Sequence, residues 1–234
     1  MSGTKEAMRP PPGKKGPKRR RVRPDSAWLL CMILCLLIVS GFEDRHQMIW
    51  AAGIFLKIAI FVLALHVSDV GRKFFLTTVS LAVILAGVSV PARMYHGGLE
   101  SLVLVTWSAM MLLVPIAILR KIGKEFSEEG VDLEVVLGAL CAYLYIGSYF
   151  AFLYDVMAHL SKSPFFAQPG ADGKLNYLYF SFTTLTTTGY GDISPAFGPG
   201  RMIAVTEAVI GQLYLVSVVA IVVSAYGKGK KYPS

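Results

Sequence analysis

The sequence predicts an all-α membrane protein: six transmembrane helices, with a re-entrant short helix and loop between the last two. Three observations carry this expectation. Of the 234 residues, 54% are hydrophobic and the mean hydropathy is +0.56, too apolar for an ordinary soluble domain. Six apolar runs each approach the roughly 20 residues that a spanning helix needs. A polar stretch, Thr186 to Asp192, is wedged between two of them. Irregular backbone at membrane depth is tolerated only where it is buried in protein or lines a water-filled cavity.

Residues 1–26 read as a basic cytoplasmic tail. Met1 to Arg23 is rich in Pro, Gly, Lys and Arg and has almost nothing to bury, the composition of a disordered segment. Its Lys18-Arg19-Arg20-Arg21 run raises nucleic acid as a partner. The adjoining apolar segment instead makes it a topology anchor, with attraction to anionic membrane lipid as an addition. No nucleic-acid partner is expected.

Residues 27–130 hold four predicted spans: Ala27 to Phe42, Ile49 to Val67, Phe74 to Val90 and Leu99 to Leu119. The first is short and has a basic flank, so a signal peptide is its alternative reading, with Val39 and Gly41 near a cleavage point. The fourth carries no Lys or Arg; Arg120 and Lys121 only flank its inner end. A voltage sensor needs several such charges within the membrane, because each gains only about 2.3 kcal/mol per 100 mV. No steep voltage dependence is expected. Residues 131–227 hold the spans Leu133 to Leu153 and Met202 to Tyr226. Between them lie a short apolar-aromatic segment, Leu175 to Leu185, the polar loop and a Gly198-Pro199-Gly200 turn. Residues 228–234 read as a short cytoplasmic tail, with no room for a ligand-sensing domain.

The basic residues fit this topology. With the N-terminus inside, the tail cations, Arg72, Lys73, Arg120, Lys121, Lys124, Lys228, Lys230 and Lys231 all fall on the cytoplasmic side. Only Arg45, Arg93, Lys162, Lys174 and Arg201 fall outside, and Lys57 lies within a span. Excess Lys and Arg mark the cytoplasmic side. The chain is therefore expected in the cell membrane, multi-pass, with both termini cytoplasmic and the polar loop entering from outside. Cys31, Cys35 and Cys141 sit in apolar runs and read as small buried hydrophobes rather than as a disulfide or zinc framework.

The polar stretch carries the function. Gly189 and Gly191 accept positive φ without a Cβ clash. Alternating such residues with ordinary L-residues turns successive carbonyl oxygens to one side, a ladder of partial charges able to replace the hydration shell of a cation. The run Thr187-Thr188-Gly189-Tyr190-Gly191-Asp192 resembles the potassium-channel signature T-V-G-Y-G-D, with Thr188 where valine or isoleucine is commoner. The order helix, short helix, loop and helix also resembles that family's pore domain, over roughly Val135 to Tyr226. The resemblance implies a homotetramer whose four loops ring one axis. It implies K+ ligands from the carbonyls of Thr187, Thr188, Gly189 and Tyr190 and from the Thr187 hydroxyl, with Gly191 completing the filter. No cofactor and no enzymatic activity are implied.

Supporting residues follow from the same resemblance. Tyr190 would pack behind the filter, and Asp192 would bond an aromatic of the short helix, Tyr179 being the candidate; a solvated carboxylate at the mouth is its alternative. Gly211 falls at the inner-helix hinge position, or else is a small residue allowing close packing. Glu207, one turn earlier, shares its face and is expected to meet Thr183 or Thr184 behind the filter, or to reach the outer mouth. Lys57 either pairs with an acid such as Glu207 or snorkels. Asp155 and His159 read as solvated.

Rival readings come from other classes. Gly189-Tyr190-Gly191-Asp192 also fits G-x-G-D, and Tyr154-Asp155 the Y-D dipeptide, of presenilin-like intramembrane aspartyl proteases, in which two aspartates share a proton. Pro195-Ala196-Phe197 follows immediately, whereas that family's Pro-Ala-Leu element lies on a later helix. A potassium transporter subunit would string four pore repeats in one chain, and this chain has one. A non-selective cation channel is the nearest rival, since a polar Thr188 behind the filter bears on its rigidity.

Overall fold

The computed structural model describes residues 25–40, 56, 58–66, 71–94, 98–129, 133–161 and 163–229. The helices are α1 (Asp25–Ser40), α2 (58–66), α3 (Arg72–Met94), α4 (Gly98–Met111), α5 (Leu113–Glu129), α6 (Leu133–Ser161), α7 (Lys174–Leu185) and α8 (Gly198–Gly229). Among the described residues there is no strand, only an isolated antiparallel bridge between Phe166 and Pro195. The all-α expectation therefore holds. Lys57 and the ends of the second predicted span lie outside the described residues.

Among the described residues, three helical stretches are long and apolar enough to cross a bilayer: Ser101–Lys124, Val135–Ser161 and Gly198–Val218. Ala27–Val39 and Phe75–Leu85 are shorter apolar helices. The fourth predicted span is divided at Leu112, between α4 and α5. The reason is Pro115, three residues further on. It has no N–H to give the carbonyl four residues back, at Met111, and its ring crowds the preceding turn.

Two helices depart from their predicted limits. The fifth span extends past Leu153 to Ser161, so α6 has 29 residues, a length of about 44 Å at 1.5 Å per residue. Gly198-Pro199-Gly200, expected as a turn, forms the first turn of α8. Proline is tolerated there because the first helical N–H groups have no intrahelical partner.

α6 is the central element, packing against α1, α4, α5, α7 and α8. Its two sides face different cores. One side, with Cys141, Ala142 and Tyr145, joins Leu29 and Ile33 of α1, Ile60 and Phe61 of α2, and Val114 and Ile118 of α5. The other side joins α7 and the loops around it in an aromatic core of Phe150, Tyr154, Phe165, Phe166, Tyr177 and Phe180. Tyr154 and Phe165 rings lie 4.9 Å apart, and Phe166 stacks on Tyr177 at 5.2 Å. Such rings give a rigid seat to the short helix that precedes the polar loop.

Candidate functional site

α7 begins at Lys174 because the preceding loop is pinned from both ends. Asp172 Oδ1 accepts from the Phe165 backbone N–H and from the Tyr177 hydroxyl, each at 2.8 Å. The helix buries Tyr177, Phe180, Ser181 and Leu185, a spacing of three to four residues that defines one inward stripe. At its far end Thr186 keeps a right-handed conformation (φ −81°, ψ 0°) and gives its N–H to Phe182.

From there the backbone alternates. Thr187, Gly189 and Gly191 have φ of +57°, +52° and +78°, whereas Thr188 and Tyr190 between them do not enter that region. Glycine takes such angles freely. A β-branched threonine does not, and holding one there costs about 1–3 kcal/mol. Two backbone bonds hold it: Thr187 N–H to the Thr184 carbonyl at 2.9 Å, and Gly189 N–H to the Thr183 carbonyl at 3.0 Å. The donors thus turn back toward α7. Among the described residues, the carbonyls of Thr187, Thr188, Gly189 and Tyr190 accept no hydrogen bond, and residues 186–192 are exposed in the single chain. The C-terminal end of α7, where the helix dipole is negative, abuts the start of this segment.

The flanking side chains are ordered around the loop. The Tyr179 hydroxyl donates to Asp192 Oδ2 at 2.9 Å, and the Tyr179 and Tyr190 rings stack at 6.1 Å with planes 4° apart. Tyr190 is otherwise open, 70% exposed in the isolated chain. The Thr188 and Thr186 hydroxyls lie 2.9 Å apart, and Thr186 Oγ1 also donates to the Phe182 carbonyl at 2.7 Å. Beyond the loop, Ala167 N–H donates to Ser194 and Ala196 N–H to Phe165, both at 2.8 Å. Gln168 Oε1 accepts from the Ser194 N–H at 2.9 Å. The segment after the loop is therefore sewn to the segment before α7.

Glu207 departs from expectation. It neither meets Thr183 or Thr184 nor reaches the mouth. Fully buried on α8, it accepts from the Tyr154 hydroxyl of α6 at 2.5 Å through Oε2 and meets Ser181 Oγ of α7 through Oε1. Ser181 also donates to the Gly147 carbonyl of α6 at 2.7 Å. Thr183 Oγ1 instead bonds to Phe180 in its own helix. Neither Ser181 nor Tyr154 stood out as a polar partner in the sequence. Helical spacing sets Thr183 off the inward stripe of α7, but Thr184, three residues from Ser181, falls on it, so spacing alone does not choose between Ser181 and Thr184.

Gly211, also buried, is explained by packing. A Cβ there would lie 2.2 Å from the Leu185 carbonyl oxygen, so only glycine lets α8 approach the end of α7. The Tyr143 hydroxyl reaches the same carbonyl at 3.3 Å. One turn beyond Gly211, Tyr214 donates to the Ala139 carbonyl at 2.5 Å. Asp155 lies half-buried and His159 exposed near the C-terminal end of α6.

The arrangement is an exposed row of backbone oxygens at the end of a seated helix, backed by hydroxyls and one buried carboxyl group. Comparison with curated proteins and with solved structures returns no match. Residues 139–228, which include most of α6 and all of α7, the polar loop and nearly all of α8, match the family model described as "Ion channel". Over that stretch the chain is similar to ion channels.

Proposed function

We propose that the chain is one subunit of a homotetrameric, potassium-selective channel, with the loop Thr187 to Gly191 as one quarter of its filter. The observation that carries this reading is the alternation of positive φ at Thr187, Gly189 and Gly191, with the N–H groups tied back and the carbonyls unbonded. That backbone turns carbonyl oxygens to one side, where they replace water around K+. One loop supplies only part of such a ring, so closed rotational assembly follows. The carbonyls of Thr187, Thr188, Gly189 and Tyr190, with the Thr187 hydroxyl, are the proposed ligands. Asp192 and Tyr179 brace the outer end, and Gly211 is a hinge only in so far as α8 can pivot on Leu185. The chain crosses the cell membrane six times with both termini cytoplasmic, surrounded by lipid, and conducts passively without a cofactor.

The test is purified protein in liposomes. Reversal potentials in mixed potassium and sodium are expected to follow potassium, and Tyr190→Asp to reduce that preference about tenfold or more, equivalent to at least about 1.4 kcal/mol of discrimination. Equal permeation of both ions by the unaltered protein would establish the non-selective alternative, to which the polar Thr188 lends its only support.

A further inference from the structure

Glu207 joins three helices through three oxygen–oxygen contacts, and their protons can be counted. The contacts are Tyr154 hydroxyl to Glu207 Oε2, Ser181 Oγ to Glu207 Oε1, and Ser181 Oγ to the Gly147 carbonyl. Each needs one proton. Tyr154 supplies one and Ser181 supplies one, because a hydroxyl has a single O–H. The Gly147 carbonyl has none to give, and an ionised carboxylate is acceptor only. Two protons serve three contacts only if the Ser181 O–H is shared between Glu207 Oε1 and the Gly147 carbonyl, and a shared proton makes neither a full bond. A third proton, on the carboxyl group itself, makes all three full bonds.

We propose that Glu207 is held as the neutral acid and acts as a positioning residue for the filter. Its Oε1–H donates to Ser181 Oγ, Ser181 O–H donates to Gly147, and Tyr154 O–H donates to Oε2. The chain of bonds runs from α6 through α8 to α7 and back to α6, with every oxygen satisfied and no charge buried. Burial fits this: Glu207 and Ser181 are both fully enclosed, and an ionised group taken out of water is costly unless paired. Ser181 lies one helical turn before Leu185, where α7 ends and the filter loop begins. Fixing Ser181 therefore fixes the rotation of α7 and the direction from which Thr183 and Thr184 present their carbonyls to Gly189 and Thr187.

Only the flux arm of the test rests on the channel reading. In the infrared spectrum of the purified assembly at neutral pH, the wild type minus Glu207→Gln difference is expected to contain the carbonyl stretch of a protonated carboxylic acid. A carboxylate band in its place overturns the proposal. In liposomes Glu207→Gln, which keeps one donor and one acceptor, is expected to hold the potassium-to-sodium permeability ratio within about threefold of wild type. Glu207→Ala should lower it about tenfold or more, the scale of one lost buried hydrogen bond. Equal losses in both variants would remove the positioning role. If Glu207→Ala yields no assembly, Ser181→Ala replaces it with the same expectation. Absence of any potassium flux with the acid band intact would sink the channel reading and leave the protonation standing.

Discussion

Thr187 is the residue at which this chain departs most from ordinary backbone chemistry. Its φ of +57° is normally left to glycine, yet its own N–H and that of Gly189 are both returned to α7. The strain is thus held by bonds on either side of it. Tyr179 makes the second residue-scale contribution, since one side chain both stacks on Tyr190 and donates to Asp192. Tyr179→Phe keeps the stacking and removes the bond, at a cost of about 1 kcal/mol or less at this exposed position. On the proposed channel reading, shorter conducting bursts in single-channel records are expected, with the oligomeric state unchanged. Identical burst durations would show that the Asp192 bond does not brace the loop. The pairing of Tyr179 with Asp192 was legible because the family resemblance pairs that aspartate with an aromatic of the short helix. The positive φ at Thr187 was not, since nothing in a Thr-Thr-Thr run says which member leaves the ordinary region.

At the scale of elements, two glycines set how closely the helices approach, and they differ in what they touch. A Cβ at Gly211 meets backbone, the Leu185 carbonyl oxygen at 2.2 Å; a Cβ at Gly147 meets the tip of the Phe182 ring at 2.8 Å. Backbone at a helix end has little room to yield, whereas a ring can rotate. Gly211→Ala is therefore expected to lower the assembly's Tm in detergent, with a cost toward the upper end of about 1–3 kcal/mol, and Gly147→Ala to cost less. The reverse order would contradict the packing account of Gly211. Helix limits follow the same logic. Pro115 divides one apolar run into α4 and α5, and Pro199 is absorbed into the first turn of α8. The sequence displays both prolines, and only their position within a turn decides which breaks a helix.

At the scale of the whole molecule, one face of α8 remains uncovered in the single chain. Met202, Val205, Val209, Leu213 and Val216 recur every three to four residues and are all more than half exposed, while Glu207 and Gly211 on another face are buried. The polar loop, residues 186–192, is exposed as well. If four copies close around it, chemical cross-linking in mild detergent should give a ladder ending at the tetramer. A ladder ending at the dimer would exclude a four-loop filter. The charge-free fourth apolar run adds an expectation for the same assembly: conductance in planar bilayers should vary smoothly with voltage, without steep activation. Sigmoidal activation over a narrow voltage range would mean that sensing charges lie elsewhere in the chain.

The sequence by itself determined the all-helical class, the positions of the short helix and its loop, and the i, i+4 relation that puts Glu207 and Gly211 on one face. These depend on hydropathy, glycine chemistry and helical period, which are local. The tertiary structure alone decided that Glu207 meets Ser181 and Tyr154 rather than Thr183 or Thr184. Ser181 and Thr183 lie on opposite sides of α7, whereas Ser181 and Thr184 differ by only about 60°, so the choice rests on the exact rotation of that helix, which is fixed by the aromatic core of α6 and its flanking loops and which no local pattern encodes. The count of protons around Glu207 follows from that same rotation.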